Sequence, residues 1–193
     1  MPGQAWLGAA AAFLGMWVVM MVAMMLPSLV PTLWRYRQAG LGLMTLLVGV
    51  GYFVVWTVFG LAAFLLAAPL ARAVPIAVGV VVLLAGSVQL TAWKARHLAC
   101  CREAPAPGRT LSADAGTAWR HGLRLGLHCS QCCVGLMAIL LVIGVMDLRA
   151  MAVIAAAITV ERLAPSGERV ARATGAVALG AGSLLIARAA GLG

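Results

Sequence analysis

Charge is scarce in this 193-residue chain. Only 10% of its residues are Asp, Glu, Lys or Arg, and just five are acidic. Soluble domains carry about 25% charged residues, so a water-soluble globule is excluded. A long polar stretch is also missing. The longest, about Lys94 to Thr117, falls short of the roughly 50 residues an independent domain needs. No Lys or Arg precedes Arg35, so the first apolar segment lacks the charged start of a secretory signal and is expected to stay in place. No phosphate-cradling glycine loop and no phosphorylation-type aspartate motif is visible, which leaves ATP hydrolysis without residues. The Cys-x-x-Cys-His haem signature is absent, because Val134 follows Cys133.

What fills the chain is apolar: 64% hydrophobic residues and a mean hydropathy of +1.04. They lie in long blocks, which points to an all-α, polytopic membrane helix bundle with no soluble domain. Six segments approach the ~20 apolar residues that a spanning helix needs. They run from about Trp6 to Leu26, Leu41 to Ala68, Val74 to Trp93, Leu125 to Met146, Arg149 to Val160 and Val170 to Arg188. Pro27 and Pro31 are expected to stop the first. The fifth is the shortest. The whole chain, 1–193, reads as one membrane domain. Gly175, Gly180 and Gly182 in the last segment suit close helix packing, including against a second copy of the chain.

The net charge of +9 does not point to nucleic acid, since no basic helix with interleaved aromatics is present. The basic residues sit between apolar runs, where they set membrane orientation. Eleven of the fourteen, including Lys94, Arg120, Arg124 and Arg162, fall on one side of a six-span topology. Both termini are therefore placed outside the cytoplasm. Without the short fifth span the C-terminus would move inside. Trp6, Trp34 and Trp93 lie at span ends, as interfacial anchors do.

Five cysteines cannot all pair within one chain, and their tight grouping points to ligands or redox thiols. His128, Cys129, Cys132 and Cys133 crowd the mouth of the fourth segment. At ~100° per residue the four fall within an arc of roughly 140°, with His128 and Cys132, and Cys129 and Cys133, each one turn apart. His97, Cys100 and Cys101 form a second cluster at the end of the third segment, on the same side of the membrane. A methionine set lies in the first segment: Met16, Met20 and Met24 form one stripe, and Met21 and Met25 the next. Thiolate, imidazole and thioether together favour Cu(I), with Zn(II) second. Two or three of these donors suffice for Cu(I), whereas Zn(II) takes about four.

Gln89 lies in the third segment. Glu161 ends the fifth, where it is expected to pair with Arg162 or another basic residue, or to face the bundle as a proton or metal site. Asp147 is expected to cap the fifth helix.

Several pieces resemble a known family. They are the run Trp17 to Pro27 (Trp-Val-Val-Met-Met-Val-Ala-Met-Met-Leu-Pro), Gln89 to Lys94 followed by Cys101-Arg102, His121-Gly122, Cys129 to Cys133 (Cys-Ser-Gln-Cys-Cys) followed by Leu136-Met137, Gly144 to Met146, and Glu161 with Pro165. Together they resemble the bacterial family of predicted metal-binding integral membrane proteins, a domain-of-unknown-function family. Two positions depart from its pattern: Ala92 stands where a proline is expected, and His97 where a cysteine is. The resemblance implies a metal site in a multi-pass protein of the bacterial inner (plasma) membrane.

These readings converge on copper handling: uptake, delivery or transport of Cu(I) from the methionine stripe to the Cys/His site. The alternatives are a membrane thiol-disulfide oxidoreductase using Cys129 and Cys132, and a structural or assembly subunit of a larger membrane complex. Binding is favoured over catalysis, and no catalytic residue is assigned. The expected partners are the lipid bilayer, a metal chaperone or membrane-complex partner, and a second copy.

Overall fold

Helix α1 runs without interruption through both of its prolines, from Pro2 to Gln38. The expected stop at Pro27 does not occur. A proline removes one ladder bond, and membrane helices tolerate the loss because side chains and neighbouring helices satisfy the released carbonyls. The computed structural model describes residues 2–70, 75–102, 114–145 and 147–191. These residues form α1, α2 (Gly42–Leu70), α3 (Pro75–Gln89), α4 (Ala92–Arg102), α5 (Ala115–Ile143), α6 (Leu148–Leu163) and α7 (Gly167–Ala189), with no strand among them.

Four helices are long and apolar enough to cross a membrane: α1, α2, α5 and α7. The third predicted segment is not one straight helix. It breaks at Leu90 and Thr91, and α4 leaves α3 at 63°; the bent pair would make a fifth crossing. The hydroxyl of Thr91 accepts the Lys94 backbone N–H at 3.3 Å, so a threonine at the break caps the new helix. Helix α6, at 16 residues, is too short to count among the spans. Its start is set as expected: the Asp147 carboxylate accepts the backbone N–H of Arg149 at 2.8 Å and of Ala150 at 3.0 Å.

The chain divides into two compact units. One is built from α1, α2 and the first half of α5. Two glycines one turn apart on α5 decide its packing. A side chain at Gly122 would run into the backbone of Val48 on α2, and one at Gly126 into the backbone of Tyr52. Only glycine lets α2 and α5 approach this closely, and the approach sets Tyr52 beside the residues that follow Gly126. Further along α2, Trp17 of α1 lies over Gly60 and donates its indole N–H to the Trp56 carbonyl at 2.9 Å.

The second unit holds α3, α4, the rest of α5, α6 and α7. Helices α3 and α7 run antiparallel with glycines in register. Gly86 meets Gly175 and Leu179, while Gly79 meets Gly182 and Ile186. The close helix packing expected of these glycines occurs within the chain at Gly175 and Gly182, while Gly180 faces open space. A Cβ on Gly175 would lie 2.9 Å from that of Gln89, so this contact also fixes where Gln89 sits.

Candidate metal centre

In the first unit the methionine face of α1 points inward. Met20, Met21, Met24 and Met25 are buried and Met16 is half-buried, whereas Val19, Leu26 and Val30 are exposed. Apolar residues on the outer face suit lipid, so burying thioethers is a choice of side-chain type and not a consequence of hydrophobicity alone. One methionine reaches a thiol. Cys129 directs its sulfur at Met25 Sδ, 4.0 Å away, and both side chains are fully buried. Tyr52 closes the group by donating its hydroxyl to Cys129 Sγ at 3.0 Å.

Nearer the start of α5 a second pair forms along the same helix. His121 Nδ1 and the Tyr36 hydroxyl are hydrogen-bonded at 2.5 Å. His121 precedes Cys129 by more than two helical turns, about 12 Å of rise, so it stands apart from the thiol. Asp114, just outside the span, caps α5. The Thr117 backbone N–H at 2.8 Å and its hydroxyl at 2.9 Å hold the carboxyl below its ordinary range.

In the second unit four helices meet at one buried polar lock. Glu161 of α6 accepts the Gln89 amide of α3 at 2.8 Å and the Lys94 ammonium of α4 at 2.7 Å. Lys94 Nζ also donates to the Cys132 backbone carbonyl of α5 at 2.6 Å. Lys94 and Glu161 are each 1% exposed. A buried pair of this kind is costly to desolvate and holds only when its remaining donors and acceptors are matched. Here Gln89 and a backbone carbonyl supply that matching. Lys94 therefore does not belong among the loop charges that set orientation, and Arg162 is buried too. Glu161 has a basic partner as expected, but the partner is Lys94, 67 residues away.

The predicted site residues are distributed as follows. Cys132 and Cys133 are buried on α5, and His128 is half-buried. His97, on α4, is half-buried, with the Trp93 ring 4.4 Å from its own. The side chains of Cys100 and Cys101 lie outside the described residues. Among the described residues no three His, Cys, Asp or Glu side chains gather as a metal-binding group. The donor set beside Cys129 is thiol plus thioether, which fits two-coordinate Cu(I) better than four-coordinate Zn(II). Sequence reasoning missed Tyr52 and the position of Lys94. One signal for Lys94 was available: it is the chain's only lysine, all other basic residues being arginines.

A family model described as PpoB2, copper chaperone, matches residues 14–185, which takes in every one of these side chains. No curated protein and no solved structure matches the chain.

Proposed function

Since the chain belongs to the PpoB2 copper chaperone family, we propose that it binds Cu(I) as cargo within the membrane and hands it on. The observation that carries this reading is the buried contact of Met25 Sδ with Cys129 Sγ at 4.0 Å. It supplies a strong soft donor and a weak one side by side. A thioether adds affinity without trapping the ion, which suits a carrier. The imidazole of His128, one residue before Cys129, is a further donor in this proposal, and the thiols of Cys132 and Cys133 are candidate donors in their own right. His97, Cys100 and Cys101 form a second station on α4, and Met16, Met20 and Met24 an approach along α1. Zn(II) is the second choice of ion.

The proposed setting is the bacterial inner membrane, with the N-terminus outside the cytoplasm and a metal chaperone or membrane complex as exchange partner. Four membrane-capable helices support membrane insertion. The test is a Cu(I) competition titration on the purified, reduced protein beside the Cys129→Ser, Cys132→Ser, Cys133→Ser triple variant. Cu(I) binding should collapse in the variant. Unchanged stoichiometry would overturn the proposal.

A further inference from the structure

We infer that the cavity at the break between α3 and α4 is a headgroup site for a zwitterionic phospholipid, one whose headgroup joins a phosphate to a primary ammonium. The cavity measures about 310 Å³ and lies within the second unit, between the end of α3, the start of α4 and the first turns of α7. Its walls include Gln89, Leu90, Ala92, Lys94, Glu168 and Arg172. The volume falls at the small end of ligand pockets, about 300–1,000 Å³. Gly175 holds the break against α7, since a side chain there would run into Leu90 as well as Gln89.

Each charge on these walls has its opposite beside it. Lys94 pairs with Glu161 at 2.7 Å, and Arg172 with Glu168 at 3.4 Å. The cavity therefore selects neither a simple anion nor a simple cation. What it offers is an oxyanion seat and a cation seat on opposite sides of the two-residue break. On the α4 side, the Thr91 hydroxyl takes the Lys94 N–H and the Thr91 carbonyl takes that of Ala95. The N–H groups of Ala92 and Trp93 meet no acceptor among the described residues. Free N–H groups at a helix start hold phosphate oxygens well. Arg172 can join them cheaply, because a long, exposed ion pair is worth little.

On the α3 side, Gln89 is 3% exposed and its amide nitrogen donates to Glu161. Its amide oxygen meets no donor among the described residues, and buried acceptors of this kind are normally satisfied. A primary ammonium brings three N–H donors to it. The surroundings favour a lipid over a free solute. The bent α3–α4 pair is apolar enough to make one crossing, and its break falls where apolar α3 gives way to α4 with Lys94, Arg96, His97 and Arg102. That is the composition change expected at headgroup depth. Leu90, on the cavity wall, is 47% exposed and offers an apolar surface to the acyl chains.

The test is native mass spectrometry of the full-length protein in detergent with equimolar phosphatidylethanolamine, phosphatidylcholine and phosphatidylglycerol of identical acyl chains. All three carry the phosphate. The choline lipid has methyl groups in place of the ammonium hydrogens, and the glycerol lipid has no cation. Retained phosphatidylethanolamine should exceed each of the others by about tenfold, the worth of one hydrogen bond from a charged donor. Arg172→Ala, at an exposed side chain, should lower that retention several-fold. Ala171→Leu, which fills the cavity from a buried wall position, should abolish the preference. If Ala171→Leu does not fold, the lipid comparison and Arg172→Ala still decide. Equal retention of the three lipids overturns the inference, and so does a preference for phosphatidylglycerol, which would mark an anion site. Displacement by an equal concentration of free phosphoethanolamine overturns it too, since the ligand would then be a solute. None of these outcomes bears on copper binding.

Discussion

Tyr52 donates its hydroxyl to the sulfur of Cys129 at 3.0 Å, across a helix interface that two glycines bring together. The bond links a packing feature to a candidate ligand, because the close approach of α2 and α5 is what brings the phenol within reach. Tyr52→Phe should retain the fold and lose about 1 kcal/mol of stability, the worth of one ordinary hydrogen bond. Denaturant unfolding in detergent, with Cys129 alkylation as the site-specific readout, checks this. Alkylation at Cys129 should speed up with no change at Cys132 or Cys133.

Met25 and Met20 differ in a way that copper should detect. Both are buried on α1, yet it is Met25 whose sulfur meets Cys129. Met→Leu swaps conserve volume and usually cost under about 1.5 kcal/mol, so either variant should fold. Cu(I) affinity by chelator competition should fall several-fold in Met25→Leu and stay near wild type in Met20→Leu.

Gly122 and Gly180 give opposite expectations for the same substitution. A methyl at Gly122 collides with the backbone of Val48, and neither backbone can yield cheaply. Gly122→Ala should therefore destabilise the first unit by about 1–3 kcal/mol, as overpacking does. At Gly180 nothing lies within reach, and alanine is the better helix former, so Gly180→Ala should be neutral or stabilising by up to about 1 kcal/mol. Thermal unfolding in detergent separates the two.

Breaking the lock from one side should cost more than removing it. Glu161→Ala strands an ammonium in a buried site, and losing one partner of such a pair typically costs about 3–5 kcal/mol. Adding Lys94→Met should recover much of that loss. A double-mutant cycle by denaturant unfolding reads the recovery directly.

Asp114 carries the pH dependence of the α5 start. Its carboxyl is held below the ordinary range by Thr117, so the ionised cap contributes fully above the unfolded-state value. The contribution fades as pH falls through the lower folded-state value. Asp114→Ala should speed amide exchange at Thr117 at neutral pH, and the difference from wild type should vanish in acid.

Much of this arrangement was legible in the sequence because apolar length and soft-ligand spacing are local signals. The all-helical fold, four of the membrane-capable segments, the Asp147 cap and membership of a metal-related family all follow from patterns within a few residues. What was not legible depends on distant partners. Pro27 read as a stop because its local effect is known, yet α1 continues past it to Gln38. Lys94 read as a loop charge because it follows an apolar run. Its acceptors are 38 and 67 residues away, and no periodicity encodes them. Met16, Met20 and Met24 were the methionines expected as ligands, and Met25 of the neighbouring stripe stood out only through its contact with Cys129. The glycines of α7 announced close packing without naming α3 as the partner.

The burial of the only lysine has a practical reading. Amine-directed reagents find no lysine on the surface of the folded protein, since Lys94 is 1% exposed. Acylation at position 94 would thus count the moments when the second unit opens. Followed over time with and without bound metal, one mass shift on one residue becomes a clock for opening, with the arginine-rich surface silent behind it.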